Sequence, residues 1–173
     1  MRVASWNVNG LRAAWGKGFP AWVNDGGADL VALQEVDRGA DRTGRRDLLN
    51  EIAFHTGLTP LFGKNIPLQG GEYGNAILSR YPIVHAQNRD VSSHAFEQRG
   101  LLHCAIAVPG YTRPVHCVCV HLALHERGDG ATPFFFQHGL CGAAAQPAEV
   151  TPELNSLLLQ AFRYLHEHLR LVQ

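Results

Sequence analysis

A short apolar run that ends in acidic residues is the part of this sequence best suited to chemistry. The run is Leu30-Val31-Ala32-Leu33-Gln34-Glu35-Val36-Asp37, with Gly26-Gly27 before it and Gly39 after it. Such a run, rich in aliphatic residues, predicts a buried strand. A carboxylate at its end is costly to bury without a partner, but it is well placed to bind a metal. Glu35 is therefore a candidate metal ligand. The alternative is that Glu35 and Asp37 are exposed acids at a strand end.

Two other predicted strands also end in side chains that could do chemistry. Val3 to Val8 alternates like a strand, and Asn9-Gly10 closes it with a turn. Asparagine is depleted in strands. Asn7 therefore either serves the turn or supplies an amide that holds a phosphate oxygen or a metal-bound carboxylate. Pro114 to Leu122 is apolar on both faces, which predicts a central strand covered on both sides, and His121 terminates its apolar run.

The remaining pattern predicts the elements that must position these residues. Helices are expected over Phe19 to Asn24 and over Asp47 to Thr56, the second with a buried stripe of Leu48, Leu49, Ile52 and Ala53 and a stop at Gly57. Further strands are expected over Thr59 to Phe62, Ala76 to Ser79, Ile83 to Val84 and Gly100 to Val108, with Cys117 and Cys119 as small core residues.

Composition limits the classes of protein to consider. A chain of 173 residues fits one domain, and its fifteen basic residues balance fifteen acidic ones, which weighs against a broad nucleic-acid footprint. No apolar run approaches the roughly 20 residues that span a membrane, and the amino terminus lacks the shape of a signal peptide. Four cysteines without C-x-x-C spacing indicate neither a disulfide framework nor a zinc knuckle. We expect a cytoplasmic enzyme, monomeric and not bound to a membrane.

Four motifs in order resemble the endonuclease/exonuclease/phosphatase superfamily, also called deoxyribonuclease I-like. The part up to Glu35 most resembles the exonuclease III branch, and the part from Arg38 to Leu122 is more similar to small bacterial members described only as family hydrolases. Each motif is weak alone, whereas four in the right order are specific. They are Trp6-Asn7-Val8-Asn9-Gly10-Leu11-Arg12, Leu33-Gln34-Glu35-Val36, Tyr73-Gly74-Asn75-Ala76-Ile77-Leu78-Ser79-Arg80 and Val120-His121-Leu122.

The resemblance implies an α+β fold, a four-layer α/β/β/α sandwich of two packed, mainly antiparallel sheets. It also implies Mg²⁺-dependent attack of water on a phosphate ester, with Mn²⁺ as an alternative metal and DNA among the candidate substrates. By motif, Glu35 is the metal ligand, and Asn7 supports the metal site or a phosphate oxygen. Mg²⁺ prefers such hard oxygen ligands.

The same resemblance assigns further site residues. Glu72 matches a family glutamate that pairs with a histidine, and His121 matches that histidine, a phosphate donor or general acid. A histidine held by a carboxylate keeps its proton near neutral pH. A hydrogen-bonded pair of His121 and Glu72 facing the pocket of Glu35 is therefore expected; the alternative is a structural histidine. Asn75 and Arg99 are the other predicted substrate-binding residues, with Asn7.

The carboxyl-terminal third departs from the family pattern. Residues 1–125 are expected to form the family-like domain, and 126–173 a divergent tail that ends in an amphipathic helix over about 152–171. The family's Gly-Asp-x-Asn and Ser-Asp-His motifs are not found, so the fold is expected to be incomplete on that side. Three functions compete: a metal-dependent phosphodiesterase or nuclease, a phosphatase or phosphodiesterase acting on small or lipid phosphates, and an inactive remnant or binding module.

Overall fold

The structure, a computed structural model, describes residues 1–90, 92 and 98–121. The expected tail, its helix over about 152–171 and the domain boundary at residue 126 lie outside the described residues. The elements are β1 (Val3–Asn7), α1 (Leu11–Trp15), α2 (Phe19–Gly26), β2 (Leu30–Arg38), a 3-10 turn (Asp41–Thr43), α3 (Leu48–Thr56), β3 (Thr59–Leu68), β4 (Gly71–Ser79), β5 (Ile83–Asp90), β6 (Gly100–Ile106) and β7 (Val115–Val120).

The strands form two sheets. The first has the order β1-β2-β4-β3, in which β1 runs parallel to β2 and the other pairs are antiparallel. The second has the order β5-β6-β7 and is antiparallel throughout its described strands. The predicted α+β class, with two mainly antiparallel sheets, is confirmed.

Two apolar cores hold the layers together. One lies between the helices and the first sheet, where the stripe of α3 predicted from the sequence (Leu48, Leu49, Ile52, Ala53) is buried against β2 and β4 residues such as Leu33 and Leu78. The other lies between the two sheets, where Ala32 and Ile77 of the first sheet meet Leu102, Cys104 and Cys117 of the second. The described residues thus form three of the four expected layers: helices, first sheet and second sheet.

Local signals explain where α3 begins and ends. The Asp47 side chain accepts a hydrogen bond from the Asn50 backbone N–H, which caps the first turn. Gly57 ends the helix in the left-handed region, with φ 68°. None of the helices in the described part of the chain is long and apolar enough to cross a membrane.

Several strands differ from the prediction, among them β5, which was expected over Ile83 to Val84 and runs to Asp90. β3 extends to Leu68 and tolerates Pro60 and Pro67 because it lies at the edge of its sheet. The glycine-rich segment before Ala76 is itself strand, the first half of β4. Among the described strands β7 pairs only with β6, and His116 on its outer face is exposed. The expectation of a central strand covered on both faces is therefore not met within this part of the chain, although Cys117 and Cys119 are buried as predicted.

Candidate active site

Glu35 lies in a β-bulge, which the sequence did not reveal. Leu33 of β2 pairs with Ala76 of β4 and Val36 pairs with Gly74, so between these two pairs β2 contains one residue more than β4. The backbone of Glu35 has φ 62°, in the left-handed region that non-glycine residues seldom occupy. The extra residue reverses the alternation of side chains, and Val36 consequently packs into the core beneath the helices. Glu35 is thereby free to reach residues at the ends of β1 and β7.

Gly74 allows the strands around this bulge to approach closely. A Cβ atom on Gly74 would lie 2.0 Å from the carbonyl oxygen of Gly63 and 3.1 Å from the backbone nitrogen of Asn65. The β3–β4 pairing also shifts between Lys64 and Ile66, so irregularities in both neighbouring strands flank Gly74. A side chain there would displace the backbone beside the bulge.

Asn7 holds the Glu35 carboxylate through its amide nitrogen. Asn7 Nδ2 donates to Glu35 Oε1 at 3.0 Å, and the backbone N–H of Asn9 donates to Asn7 Oδ1 at 2.9 Å. Turning the amide over would put oxygen against a carboxylate oxygen and NH₂ against an N–H, so these two contacts fix its orientation. Of the roles considered for Asn7, the geometry shows support of the Glu35 carboxylate together with closure of the turn.

His121 approaches the same carboxylate from the second sheet. Its Nδ1 lies 3.5 Å from Glu35 Oε1, and both side chains are mostly buried, 13% and 20% exposed. His121 follows directly after β7, on the strand face shared by Cys117 and Cys119. The structure therefore brings together three of the predicted site residues: Asn7, Glu35 and His121.

The predicted pair of His121 and Glu72 is wrong, because in the structure the two side chains lie on different sides of β4. Glu72 forms ion pairs with Lys64, at 3.3 Å, and with Arg38, at 3.8 Å. The reason is the alternation along β4, where Ile77 faces the second sheet and Ala76 and Leu78 face the helices. Glu72 has the parity of the helix-facing set, so it projects away from the side on which His121 lies. The carboxylate beside His121 is Glu35.

Tyr73 takes the position facing Glu35 that was expected for Glu72. It is next to Glu72 on β4 and points to the opposite face, close to Glu35. Burial, and the nearby negative charge of Glu35, raise the pKa of Tyr73 above its ordinary value. Tyr73 thus stays protonated beside the carboxylate. The sequence reading missed it because a tyrosine in a strand is ordinarily a packing residue.

Asn75 lies between the sheets and not at the surface of the site. Its side chain is 1% exposed, and Nδ2 donates to the backbone carbonyls of Gly100, at 2.8 Å, and Cys119, at 3.5 Å. The amide nitrogen that was predicted to bind substrate is therefore engaged in fastening the two sheets. Arg99 precedes β6 and lies close enough to Tyr73 to lower the pKa of that tyrosine in part, so it borders the site, and its role in substrate binding stays a prediction.

Asp37 is not an exposed acid. It is 2% exposed and accepts two hydrogen bonds from Arg42, one of them from Nε at 3.0 Å. The Arg42 guanidinium also lies over the Tyr73 ring, 5.6 Å from its centroid. A cavity of about 150 Å³ opens beside this ion pair, lined by Asn9, Gly10, Arg12, Ala13, Asp37 and Arg42. Two arginines thus stand next to the Glu35 bulge.

A family assignment accounts for this arrangement of two sheets and a carboxylate at their common edge. The sequence profile of the Endonuclease/Exonuclease/phosphatase family matches residues 4–171. This chain belongs to that family. Members of the Endonuclease/Exonuclease/phosphatase family are generally hydrolases that act on phosphoester bonds. The match continues through the tail in which no family motif is recognised from the sequence.

Curated proteins and solved structures also resemble this chain. The uncharacterized protein YbhP of Escherichia coli (strain K12) and that of Shigella flexneri are each 49% identical over 107 residues, 57% of this chain and 42% of the relative. The match thus spans less than half the length of these relatives. An endonuclease/exonuclease/phosphatase family protein from Leptotrichia buccalis C-1013-b has a similar fold, with TM-score 0.57, 14% identity, and coverage of 78% of this chain and 58% of that one. Truncated Caenorhabditis elegans TDP2 gives TM-score 0.45, 20% identity and coverage of 70% and 46%.

The donor set suits the hydrated Mg²⁺ that the family resemblance implies. Within the described residues no three His, Cys, Asp or Glu side chains surround one metal position. Glu35 is a partly exposed carboxylate held by Asn7 and Tyr73. Mg²⁺ commonly takes one or two carboxylates and completes its shell with waters and substrate phosphate. A single oriented carboxylate therefore fits Mg²⁺ better than a metal that needs a full set of protein ligands.

Proposed function

We propose that this protein is a metal-dependent phosphoester hydrolase, a phosphodiesterase or nuclease in which water attacks a phosphate group. The observation that carries the proposal is the convergence of Asn7, His121 and Tyr73 on the one carboxylate of Glu35. Packing alone gives no reason to place an acid in a bulge with left-handed backbone, because such a conformation costs energy that the surrounding structure must offset. Strain of this kind is concentrated at functional sites.

In this proposal Glu35 holds Mg²⁺ or Mn²⁺, while Asn7 and Tyr73 keep the carboxylate in position. A bound divalent ion would supply Lewis-acid polarisation of the phosphate oxygens. Asn7 Nδ2 donates a hydrogen bond to Glu35 Oε1 and Tyr73 lies beside the same carboxylate, so these two side chains fix its direction. Their role is thus the one that outer-shell partners have in metal sites, where they orient the ligand.

In this proposal His121 is the general acid, and its carboxylate partner is Glu35 and not Glu72 as expected from the sequence. Because Nδ1 faces Glu35 Oε1, a proton given to the substrate would leave from Nε2. The carboxylate stabilises the protonated imidazole, which keeps a histidine competent as an acid near neutral pH. The proton goes to the oxygen of the leaving group as its bond to phosphorus breaks.

Two substrate classes fit this chemistry. A phosphodiester such as DNA is favoured by the arginines at the cavity beside the site, Arg12 and Arg42. Small or lipid phosphates are favoured by the balance of fifteen basic and fifteen acidic residues, which provides no global field for a polyanion. Rates on duplex DNA with an abasic site, plain single-stranded DNA and inositol phosphates distinguish the two classes.

The test compares wild type with Glu35→Gln and Glu72→Gln on a chromogenic phosphodiester, first in EDTA and then with added Mg²⁺ or Mn²⁺. Wild type and Glu72→Gln should hydrolyse it only with metal, and Glu35→Gln should lose about 100-fold or more, the usual worth of a well-placed electrostatic group. Glu72→Gln is the matched control because it removes an acid from the opposite face of β4. Undiminished hydrolysis in EDTA, or by Glu35→Gln, would show that the proposal is wrong. No turnover by wild type on any substrate would favour a binding module.

A further inference from the structure

Three histidines lie together on the outer face of the second sheet, away from Glu35. His85 is on β5, His103 on β6 and His116 on β7. Ala105 pairs with His85 on one side and with His116 on the other, while His103 lies two residues before Ala105 on the same strand. The intervening Cys104 faces the other way, into the core between the sheets. Three imidazoles from three neighbouring strands therefore surround one small residue.

The rings of His103 and His116 have the spacing of two imidazoles bound to one metal ion, and the ring of His85 lies somewhat farther out. The ring centroids of His103 and His116 are 5.1 Å apart, and those of His85 and His103 are 6.1 Å apart. Two imidazoles bound tetrahedrally to one zinc, each with a Zn–N distance of about 2.1 Å, have centroids about 5 Å apart. His103 Nε2 and His116 Nδ1 are joined by a hydrogen bond of 2.9 Å, which binding of a shared ion would replace.

Small rotations are needed to bring the three nitrogens to one point. No three potential ligands among the described residues are already arranged around a metal position. His85 and His116 are exposed and His103 is partly exposed, so rotation of these rings displaces solvent and not core atoms. Ala105, which is buried, contributes only a methyl group between the two flanking histidines.

We propose that His85, His103 and His116 form a second metal site, which takes one borderline divalent ion such as Zn²⁺ or Ni²⁺ with water as the fourth ligand. Imidazole nitrogen suits zinc, nickel and copper, whereas carboxylate oxygen suits magnesium and manganese. The ion would join β5, β6 and β7 across the face opposite the inter-sheet core. This site is independent of the proposed hydrolase activity.

The experiment uses the full 173-residue chain after treatment with EDTA. Zinc is titrated by calorimetry, and Co²⁺ is added as a spectroscopic probe because its visible absorption reports tetrahedral coordination. Wild type should bind one zinc that His103→Ala does not bind. His85→Ala and His116→Ala should each weaken binding by more than the roughly 10-fold that loss of an outer-shell partner causes. Zinc should raise the Tm of wild type and not that of His103→Ala, because a ligand stabilises the state that binds it.

Two control variants test whether zinc binds at this cluster and not elsewhere in the protein. His55→Ala removes an exposed histidine of α3, outside the cluster. Glu35→Gln removes the carboxylate of the candidate active site. Both variants should retain the zinc isotherm and the cobalt spectrum. Zinc binding that survives in His103→Ala, or that is lost in Glu35→Gln, would overturn the proposal. If His103→Ala does not fold, as judged by circular dichroism, the double variant His85→Ala/His116→Ala replaces it in the comparison with wild type, because both of these histidines are exposed.

Discussion

His121 Nδ1 lies 3.5 Å from Glu35 Oε1, although the two residues belong to different sheets. The contact exists because β7 ends where β2 bulges, and the two sheets pack through the core that lies between these strands. Glu35 thus serves as partner of the histidine and as candidate metal ligand at once. A change that alters the packing of the sheets should alter both roles together.

Replacing His121 by alanine should lower the rate of phosphodiester hydrolysis by about 10²–10⁴-fold, the usual worth of general acid catalysis. The affinity for Mn²⁺ should change little, because the carboxylate keeps its hydrogen bond from Asn7 and its neighbour Tyr73. Steady-state kinetics and calorimetry measure the two quantities. A variant that unfolds, yet is fully active per folded molecule, would identify His121 as a structural histidine.

Glu72→Gln should leave the rate and its pH profile unchanged, which is the reverse of what pairing with His121 would require. Its ion pairs with Lys64 and Arg38 lie on the helix-facing side of β4 and are partly exposed, so their loss should cost about 1 kcal/mol or less. The measurement is a pH–rate profile from pH 5 to 9. A shifted acidic limb would contradict the assignment of Glu35 as the partner of the histidine.

Much of the fold, and the position of three residues of the candidate site, could be predicted from the sequence. Apolar runs located β2, β6 and β7, and the strand ends located Asn7, Glu35 and His121. The predicted partner of His121 was wrong. Glu72 and Tyr73 are neighbours in sequence, and only the alternation of side chains along β4 decides which of them faces the site. The bulge at Glu35 was not predictable either, since it is a feature of how β2 pairs with another strand, β4, beside Gly74.

Tyr73→Phe should make the stability of the protein fall less steeply as the pH rises above about 10. The pKa of Tyr73 is raised in the folded state, so below pH about 10 both states keep the proton and stability does not depend on it. Above that pH the unfolded chain releases the proton that the folded protein still binds, and stability therefore falls as pH rises. The Tm of wild type should drop more steeply than that of Tyr73→Phe between pH 9.5 and 11. Parallel curves would contradict this linkage.

Asn75→Ala should destabilise the protein by about 1–3 kcal/mol, because it leaves buried strand carbonyls without their donor. Urea denaturation measures the change. Asn24→Ala is the matched control, since Asn24 is exposed on α2 and should cost less than about 0.5 kcal/mol. Substrate affinity per folded molecule should be unchanged in Asn75→Ala. Weaker substrate binding at unaltered stability would instead restore the role that the sequence predicted.

Gly74→Ala should both destabilise the fold and disturb the site. The new methyl group would meet the Gly63 carbonyl oxygen at 2.0 Å, a distance that backbone atoms can relieve only by moving β3 away from β4. Overpacking of this kind costs about 1–3 kcal/mol or more, and in a domain of this size each kcal/mol lowers Tm by roughly 2–4 °C.

The matched control for Gly74 is Gly26→Ala at the end of α2, where a Cβ would have no neighbour within 4 Å. Alanine should be neutral there or slightly stabilising, because it restricts the unfolded chain. Gly74 pairs with Val36, directly after the bulge, so the folded fraction of Gly74→Ala should also bind Mn²⁺ more weakly than wild type. If Gly74→Ala matched Gly26→Ala in both Tm and Mn²⁺ affinity, the close approach of β3 would not be what supports the position of Glu35.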